Sequence, residues 1–191
     1  KIESWHKVIS AASCTTNCVV PLIDVLHKNF GIRNGFMTTV HSYTNDQSIV
    51  DSNHKDLRRA RAGALSMIPT ATGAAKSVGL IIPELNGKID GAAIRVPTPN
   101  VSVVDLCCTL NKKAQVSEIN DLFVSNVSDV FSVCDKPLVS IDFNHSSHSC
   151  TVDLLSTYVV DSEFCRVLAW YDNEWAFCLR MLDIAKFLKN R

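Results

Sequence analysis

A series of short strand-like segments fills the second half of the chain and constrains the fold more than any other feature of the sequence. The segments are rich in β-branched and apolar residues, and turn residues separate most of them. Links of this length favour an antiparallel or mixed sheet, because parallel neighbours require long crossover connections. The predicted strands cover residues 88–97, 101–111, 138–143, 150–155, 157–160 and 164–170, with one earlier strand at 35–43.

Apolar residues at helical spacing predict four helices that would cover this sheet. The first follows Ser13, a residue type that caps helices, and stops at Gly31. The second ends before Pro83, the third starts at a Ser117 cap, and the last runs over residues 173–189. Helices that cover a mostly antiparallel or mixed sheet give an α+β fold, which is the fold class we predict.

The composition fits one globular domain, since 47% of the 191 residues are hydrophobic. Nineteen basic residues balance nineteen acidic ones and no Lys/Arg-rich run occurs, so the long-range field that gathers nucleic acid or an anionic membrane is absent. We expect neither kind of partner. Because the sequence starts at Lys1 rather than Met and shows no signal-peptide pattern, we expect the latter part of a longer polypeptide.

The eight cysteines form no C-x-x-C pair, and most of them lie within apolar runs. This usage favours reduced thiols and a cytoplasmic location over a disulfide framework. One cluster, made of His145, His148 and Cys150, has a spacing that can ligate zinc, but no second pair of ligands follows elsewhere. We therefore predict no metal site and interpret the cluster as a polar hairpin tip between two strands.

One cysteine stands at a chemically favourable place. Cys14 directly follows the Ser13 cap and so lies in the first turn of a helix, where unpaired backbone N–H groups and the helix dipole favour a thiolate. This position predicts a nucleophile. His41, near the end of the strand at 35–43, shares one strand face with Thr39 and Tyr43 and would face a group that the sequence alone does not identify.

Three further features suit the binding of anions. Thr72 and Gly73 start the second helix, where a hydroxyl and an accessible backbone bind phosphate, although an ordinary N-cap explains them equally well. The long irregular stretch 44–68 is typical of a functional or partner-bound segment, but a solvated surface better explains an arginine such as Arg59 taken alone. Arg95 lies between apolar neighbours on a strand, so its charge requires a carboxylate or a bound anion.

Five motifs resemble those of the phosphorylating glyceraldehyde-3-phosphate dehydrogenase family, in the family's order and spacing. The resemblance covers nearly the whole chain and implies that residues 1–191 form the catalytic domain. It also implies that a Rossmann domain for NAD lies upstream, against which the C-terminal helix at 173–191 would pack; this chain has no G-x-G of its own. The motifs are ASCTTNC at 12–18, VHSYTNDQ at 40–47, PTATGAA at 69–75, RVPTP at 95–99 and WYDNEW at 170–175.

The resemblance further implies a glycolytic reaction, the NAD-dependent oxidation and phosphorylation of glyceraldehyde 3-phosphate to 1,3-bisphosphoglycerate. Cys14 would attack the aldehyde to form a thiohemiacetal and then a thioester, and His41 would act as the base. By similarity, Thr44 and Arg95 belong to the site for the substrate's phosphate, and Asn173 contacts the nicotinamide carboxamide. The site for inorganic phosphate would use Ser13, Thr15, Arg59, Thr72 and Gly73.

Two alternatives stay open at this point. Erythrose-4-phosphate dehydrogenase is a sister family with the same cysteine and histidine, but residues 44–47 and 70–76 resemble the glyceraldehyde type. The chain by itself is also interpretable as a non-catalytic assembly module. The family forms tetramers, and residues 44–68 resemble its S-shaped loop at subunit contacts, so we expect a homo-oligomer. Two positions depart from the family pattern, since Ala12 replaces a common Asn and residues 175–177 lack a frequent tyrosine.

Overall fold

The structure, a computed structural model, describes residues 5–190. The α-helices in this range are α1 (Cys14–Phe30), α2 (Ala74–Ile81), α3 (Val116–Ser125) and α4 (Trp175–Lys189). Short 3-10 helices cover Pro83–Leu85 and Ser140–Phe143. The strands are β1 (Ile32–Ser42), β2 (Ile68–Ala71), β3 (Ile89–Val96), β4 (Ser102–Leu110), β5 (Phe131–Cys134), β6 (Cys150–Val160) and β7 (Phe164–Tyr171).

The strands form a seven-stranded mixed sheet in the order β2-β3-β1-β4-β7-β6-β5. The pairs β1–β3 and β5–β6 are parallel, whereas every other neighbouring pair is antiparallel. In the parallel pair β1–β3, His41 is the register partner of Arg95. The predicted α+β fold with a mixed sheet is confirmed, and residues 5–190 contain no Rossmann-type doubly wound sheet.

Helix α1 attaches the start of the chain to one face of the sheet. The apolar residues along one side of α1 are fully buried in the hydrophobic core. Every second residue of β4 is also buried, and the apolar ones among these form part of the opposite side of the same core. Each fully buried leucine or isoleucine side chain stabilises such a contact by about 1.5–3 kcal/mol. The core residues contributed by these two elements are Cys18, Val19, Leu22, Ile23 and Leu26 of α1 and Val104, Leu106, Cys108 and Leu110 of β4.

The predicted start and stop signals of α1 act at both of its ends. The hydroxyl of Ser13 accepts a hydrogen bond from the backbone N–H of Thr16 at 3.1 Å. Gly31 ends the helix with a φ of +68°, and its N–H donates to the carbonyl of His27. This backbone conformation is one that residues other than glycine rarely adopt, so the glycine is the reason why the chain turns into β1 here.

The prediction of a strand at residues 138–143 is wrong. Ser140–Phe143 is a 3-10 turn, and the backbone N–H of Val139 donates to Asp142 Oδ2 at 2.9 Å at its start. This local side-chain bond competes with strand pairing. The predicted hairpin tip at residues 144–149 is accordingly a loop that connects the 3-10 turn to β6.

The number and the extent of the strands also differ from the prediction. Residues 150–155 and 157–160 belong to one continuous strand, β6, which pairs with β7 on both sides of an irregularity between Asp153 and Tyr158. Strands β2 and β5 contain only four residues each, too few to show an alternating pattern, and they exist because they pair with β3 and β6.

The predicted cap of α3, Ser117, is two positions after the observed N-cap. Gln115 precedes the helix, and its backbone N–H donates to Glu118 Oε2 at 2.7 Å, so Ser117 lies inside the first turn. Residues 43–67 form turns and one isolated bridge between Ser48 and Ala62, as expected for an irregular stretch. None of the helices in residues 5–190 combines the length and the apolar character needed to cross a lipid bilayer.

Candidate active site

The first turn of α1 presents Cys14 to a polar cavity. Ser13 is the N-cap and has an extended backbone, and Cys14 is the first helical residue. The side-chain amide of Asn17 donates to the carbonyls of Ala11 and Ser13 at 2.8 and 2.9 Å, which holds the chain that leads into the helix. The sulfur is therefore fixed at the positive end of α1.

His41 faces this sulfur from strand β1. Its imidazole is buried, with 4% of the residue exposed, and Nε2 lies 3.5 Å from Cys14 Sγ. The other ring nitrogen, Nδ1, lies 2.8 Å from the carbonyl oxygen of Ser42 and 2.7 Å from Nη1 of Arg95. A sulfur and an imidazole nitrogen within hydrogen-bond reach have the geometry of a nucleophile and its base.

Tyr171 holds the elements that carry these two groups, and the sequence motifs do not reveal this role. Its buried hydroxyl lies 2.8 Å from Oγ1 of Thr15, which follows Cys14, and 2.8 Å from Oγ1 of Thr39, two residues before His41. The tyrosine ring also meets the imidazole edge-on, with ring centroids 5.9 Å apart. One hydroxyl thereby joins α1, β1 and β7 directly behind the sulfur.

Burial controls the protonation of both candidate catalytic groups. It raises the pKa of the Cys14 thiol, and hydrogen bonds with Thr15 lower that pKa by less. For His41, burial first and the charge of Arg95 second lower the pKa from 6.5 to about 4. Near neutral pH the pair is therefore a thiol and a neutral imidazole. The predicted thiolate is not supported, because desolvation of the sulfur outweighs the bonds that favour the anion.

A cavity of about 380 Å³ lies in front of the sulfur. It brings together seven of the residues that the sequence singled out, which come from α1, β1, β3 and the start of α2. Thr16, Thr39 and Ser77 add further hydroxyl groups to its lining. The seven are Ser13, Cys14, Thr15, His41, Thr72, Gly73 and Arg95.

The start of α2 gives the cavity a second helix N-terminus. Gly73 is the N-cap of α2 and has no side chain to close it, and a Cβ at this position would meet nothing within 4 Å. The hydroxyl of Thr72 accepts from the backbone N–H of Ala74 at 3.2 Å. The N-cap position itself therefore has no side-chain cap and its backbone is open, and the N-termini of α1 and α2 both direct partial positive charge at one cavity.

Arg95 brings a full positive charge to the same cavity. Its Nη1 donates to the carbonyl of Ser42 at 3.1 Å, and no carboxylate within residues 5–190 forms an ion pair with it. Its Nε is buried without a hydrogen-bond partner among the described residues, and burial lowers the pKa of the guanidinium. Of the two partners that the sequence allows, the geometry favours a bound anion.

Two predicted phosphate ligands lie outside this cavity. Arg59 forms ion pairs with Asp46 and Asp56, and its Nε donates to Thr70 at 2.9 Å. The hydroxyl of Thr44 donates to Gln47 Oε1 at 3.2 Å. These partners explain why neither side chain reaches the sulfur, since local bonds within residues 43–70 hold both of them.

Asn173 also lies outside the cavity and is not the cap of α4. Glu174 is the N-cap residue and makes no side-chain capping bond, whereas Asp172 Oδ1 accepts from the backbone N–H groups of residues 174–175 at 2.9 and 2.8 Å. Asn173 Oδ1 accepts from the hydroxyls of Ser42 and Ser102 at 2.9 and 3.1 Å. The oxygen is therefore occupied, and the two N–H donors of the amide remain for Glu174 or a ligand.

The sequence of the chain also matches a family model, which is described as glyceraldehyde 3-phosphate dehydrogenase, C-terminal domain, over residues 13–173. The chain belongs to this family. It is 53% identical over 190 residues to the glyceraldehyde-3-phosphate dehydrogenase of Geobacillus stearothermophilus, an alignment that covers 97% of the chain and 57% of that relative. It is equally 53% identical over 189 residues to the protein of the same name from Xanthobacter flavus, with 97% and 56% covered.

Family membership confirms the resemblance that the motifs indicate, and the chain spans just over half the length of these curated relatives.

The cluster of His145, His148 and Cys150, for which we predict no metal, makes other contacts. His145 packs on Trp175 with ring centroids 5.0 Å apart, and Cys150 is buried in the core. Within residues 5–190, no three His, Cys, Asp or Glu side chains lie close enough together to hold a metal ion.

Proposed function

We propose that the protein is a phosphorylating, NAD-dependent glyceraldehyde-3-phosphate dehydrogenase of glycolysis, which converts glyceraldehyde 3-phosphate to 1,3-bisphosphoglycerate. One observation carries the proposal: Cys14 Sγ and His41 Nε2 lie 3.5 Å apart in a polar cavity that also contains Arg95. Membership of the family supports this choice, and the relatives carry the name of this enzyme. The activity is proposed for the whole protein, of which the chain would be the catalytic domain over residues 1–191.

In this mechanism Cys14 is the nucleophile and His41 the base. Since the pair starts as a thiol and a neutral imidazole, Nε2 takes the thiol proton as the sulfur attacks the aldehyde carbon. The product is a thiohemiacetal. The backbone N–H of Cys14 at the helix start and the protonated imidazole are the donors for its oxygen. After oxidation, Cys14 holds the acyl group as a thioester until inorganic phosphate cleaves it.

Two phosphate groups need two subsites. We assign the substrate's phosphate to Arg95 and Thr44, because a guanidinium and a hydroxyl match a tetrahedral oxyanion. Arg59, which belongs to the other subsite, would bind a phosphate only after its ion pair with Asp46 breaks. The subsite for inorganic phosphate then uses the starts of α1 and α2, with Ser13, Thr15, Arg59, Thr72 and Gly73.

The cofactor we propose is NAD, and Asn173 fits a contact with its nicotinamide. Two hydroxyls hold the Asn173 oxygen and Glu174 Oε1 accepts one amide hydrogen, so the amide has a second N–H donor, which suits the carbonyl of a carboxamide. When bound, NAD supplies the acceptor for the hydride that leaves the substrate carbon. The main NAD site would lie in a Rossmann domain outside this chain, and the helix at 173–191 would pack against that domain. Exposed apolar side chains of α4, such as Met181 and Leu182, support this packing.

We propose a homo-oligomer, a tetramer as in the family, located in the cytoplasm. Residues 43–67 expose large apolar side chains that a subunit contact would cover. The eight cysteines are all free thiols, which suits a reducing compartment. The exposed residues are Ile49, Val50, Leu57, Leu65 and Met67.

The test is an assay of the intact protein for NADH formation from NAD, inorganic phosphate and glyceraldehyde 3-phosphate. Cys14→Ala should abolish the reaction, whereas Cys107→Ala, which removes a half-exposed thiol from β4, should retain it. His41→Gln should lower kcat by about 10²–10⁴-fold, the usual contribution of a general base.

Parallel assays with other substrates identify the aldehyde. A higher kcat/KM for erythrose 4-phosphate than for glyceraldehyde 3-phosphate would replace the proposed reaction with that of the sister family. An intact protein that reduces no NAD with either aldehyde, although Cys14 reacts with iodoacetamide faster than Cys107, would leave an assembly role in its place. Sedimentation of the intact protein as a monomer would contradict the proposed tetramer.

A further inference from the structure

Two buried serines hold the oxygen of the Asn173 side chain. Ser42 ends β1 and Ser102 starts β4, and their hydroxyls donate to Asn173 Oδ1 at 2.9 and 3.1 Å. The three residues are almost inaccessible to solvent, with 4% of Asn173, 0% of Ser42 and 1% of Ser102 exposed. Because an amide oxygen has two lone pairs, these two hydrogen bonds saturate it.

The neighbouring groups fix the orientation of this amide. Ser102 Oγ accepts from the backbone N–H of Ser42 at 3.0 Å, so its one hydrogen is free to point at Asn173. On the other side, Asn173 Nδ2 donates to Glu174 Oε1 at 2.9 Å. A carboxylate only accepts hydrogen bonds, so a flipped amide would set two oxygens against each other. The amide oxygen therefore faces the buried serines, and the nitrogen lies beside the exposed Glu174.

We propose that Ser42 and Ser102 are positioning residues for the cofactor: by fixing the Asn173 amide, they direct its remaining N–H donor to the carbonyl oxygen of the nicotinamide carboxamide. This inference rests on the proposed function, which assigns the contact between Asn173 and the nicotinamide. It adds that the protein recognises the carboxamide through its oxygen and needs no contact with its NH2 group. The serines act only through Asn173 and do not touch the cofactor.

The strands that carry the serines also carry the reacting groups. Ser42 directly follows His41 at the end of β1, and His41 Nε2 lies 3.5 Å from Cys14 Sγ. Ser102 is the register partner of Tyr171, whose ring meets the imidazole edge-on. The amide that the serines hold is therefore near the sulfur, in the region where a group that takes a hydride from the bound aldehyde must lie.

Removal of a hydroxyl would weaken the choice of orientation. Without Ser42 the buried amide oxygen keeps one donor, and without both serines it keeps none, so only the bond to the exposed Glu174 would select an orientation. The apparent affinity for the nicotinamide falls by the fraction of protein in which the amide is no longer positioned. At the usual net strength of a neutral hydrogen bond, one serine corresponds to about threefold in Kd and both to about tenfold.

The experiment measures the Kd of three ligands for the intact protein by calorimetry. The ligands are NAD, ADP-ribose, which lacks the nicotinamide, and 3-acetylpyridine adenine dinucleotide, in which a methyl group replaces the carboxamide NH2. Ser42→Ala is the main variant, because the Ser42 hydroxyl bonds only Asn173 among residues 5–190. The Kd of NAD and of the acetylpyridine analogue should both rise about threefold, whereas the Kd of ADP-ribose should stay unchanged.

The steady-state assay provides an independent readout. In the double variant Ser42→Ala/Ser102→Ala, the KM for NAD should rise by about tenfold while the KM for glyceraldehyde 3-phosphate stays unchanged. If the double variant does not fold, the two single variants decide by the same comparison of ligands.

Two further variants separate positioning from a general loss of structure. Ser149→Ala removes another buried serine hydroxyl, one that accepts from Arg180, and should leave all three Kd values unchanged. In an Asn173→Ala background, Ser42→Ala should have no additional effect on the Kd of NAD, because the serine acts through the amide. An equal loss of affinity for NAD and ADP-ribose in Ser42→Ala would overturn the proposal. A loss for NAD without a loss for the acetylpyridine analogue would overturn it too.

These measurements distinguish failure of the inference from failure of the proposed function. A protein that does not bind NAD, or an Asn173→Ala variant that binds NAD as tightly as the wild type, would refute the proposed cofactor contact and the inference with it. Weakened NAD binding in Asn173→Ala, together with serine variants that bind NAD like the wild type, would refute the inference alone and retain the proposed function.

Discussion

Acidification is expected to destabilise the protein through the buried imidazole of His41. Its pKa is lowered from 6.5 to about 4, by burial first and by the charge of Arg95 second. Between these values the unfolded chain binds a proton that the folded protein does not, so stability falls as the pH decreases through this window. The whole shift corresponds to about 3 kcal/mol, of which about 2 kcal/mol is lost by about pH 5.

The assay compares urea unfolding of the wild type and of His41→Gln between about pH 7 and pH 4.5. Glutamine keeps a neutral polar group at this position and does not titrate, so the other ionisable groups contribute equally to both proteins. The variant should be the less stable protein at neutral pH, since it loses the contacts of the ring. The difference in unfolding free energy should then shrink by about 2 kcal/mol near pH 5.

A difference that stays constant with pH would refute this reasoning, as would a direct NMR titration that finds His41 near its ordinary pKa. Arg95→Met separates the two causes of the shift. Because burial is the larger cause, this variant should retain most of the pH dependence and lose only the part due to the charge. Complete loss of the dependence in Arg95→Met would mean that the charge dominates.

Three further predictions concern the surroundings of the site and the core. Tyr171→Phe leaves the hydroxyls of Thr15 and Thr39 without their shared partner and should lower the unfolding free energy by about 1–2 kcal/mol, as urea titration would show. Ala12 has a φ of +61°, a backbone conformation that asparagine adopts more readily than alanine. Ala12→Asn should therefore raise the unfolding free energy by about 0.5–1 kcal/mol, which a higher melting temperature would show. Phe123→Ala empties a fully buried site under α3 and should cost about 3–5 kcal/mol in the same urea titration.

The parts of the fold that sequence reasoning predicts are those with local physical signals. The Ser13 cap and the positive-φ Gly31 bound α1 by hydrogen bonds within a few residues, so the observed helix agrees with the expected one. Strand alternation places Thr39 and His41 on one buried face for the same reason. The location of Cys14 beneath a cavity follows from these two elements and from their packing.

Features that depend on distant residues escape such reasoning. Strand β5 has four residues and exists because it pairs with β6, and the shared hydroxyl of Tyr171 is 156 positions away from Thr15. The pKa of Cys14 is the clearest case. Its helix position predicts a lowered value, but the burial that raises it results from packing that no local pattern reveals.

The cavity in front of Cys14 exists because small side chains on the sheet leave a space that larger side chains would fill. Thr39 of β1 and Ala93 of β3 are register partners in its lining, and Ala71 of β2 lies one position along. Gly73, at the start of α2, adds no side chain. Helix N-termini and Arg95 border these small residues, so the positive charge that would attract an anion comes from them and not from the strands. Tyr171 bonds Thr15 and Thr39, which are close in sequence to Cys14 and His41, and so helps to hold the sulfur and the imidazole within 3.5 Å of each other.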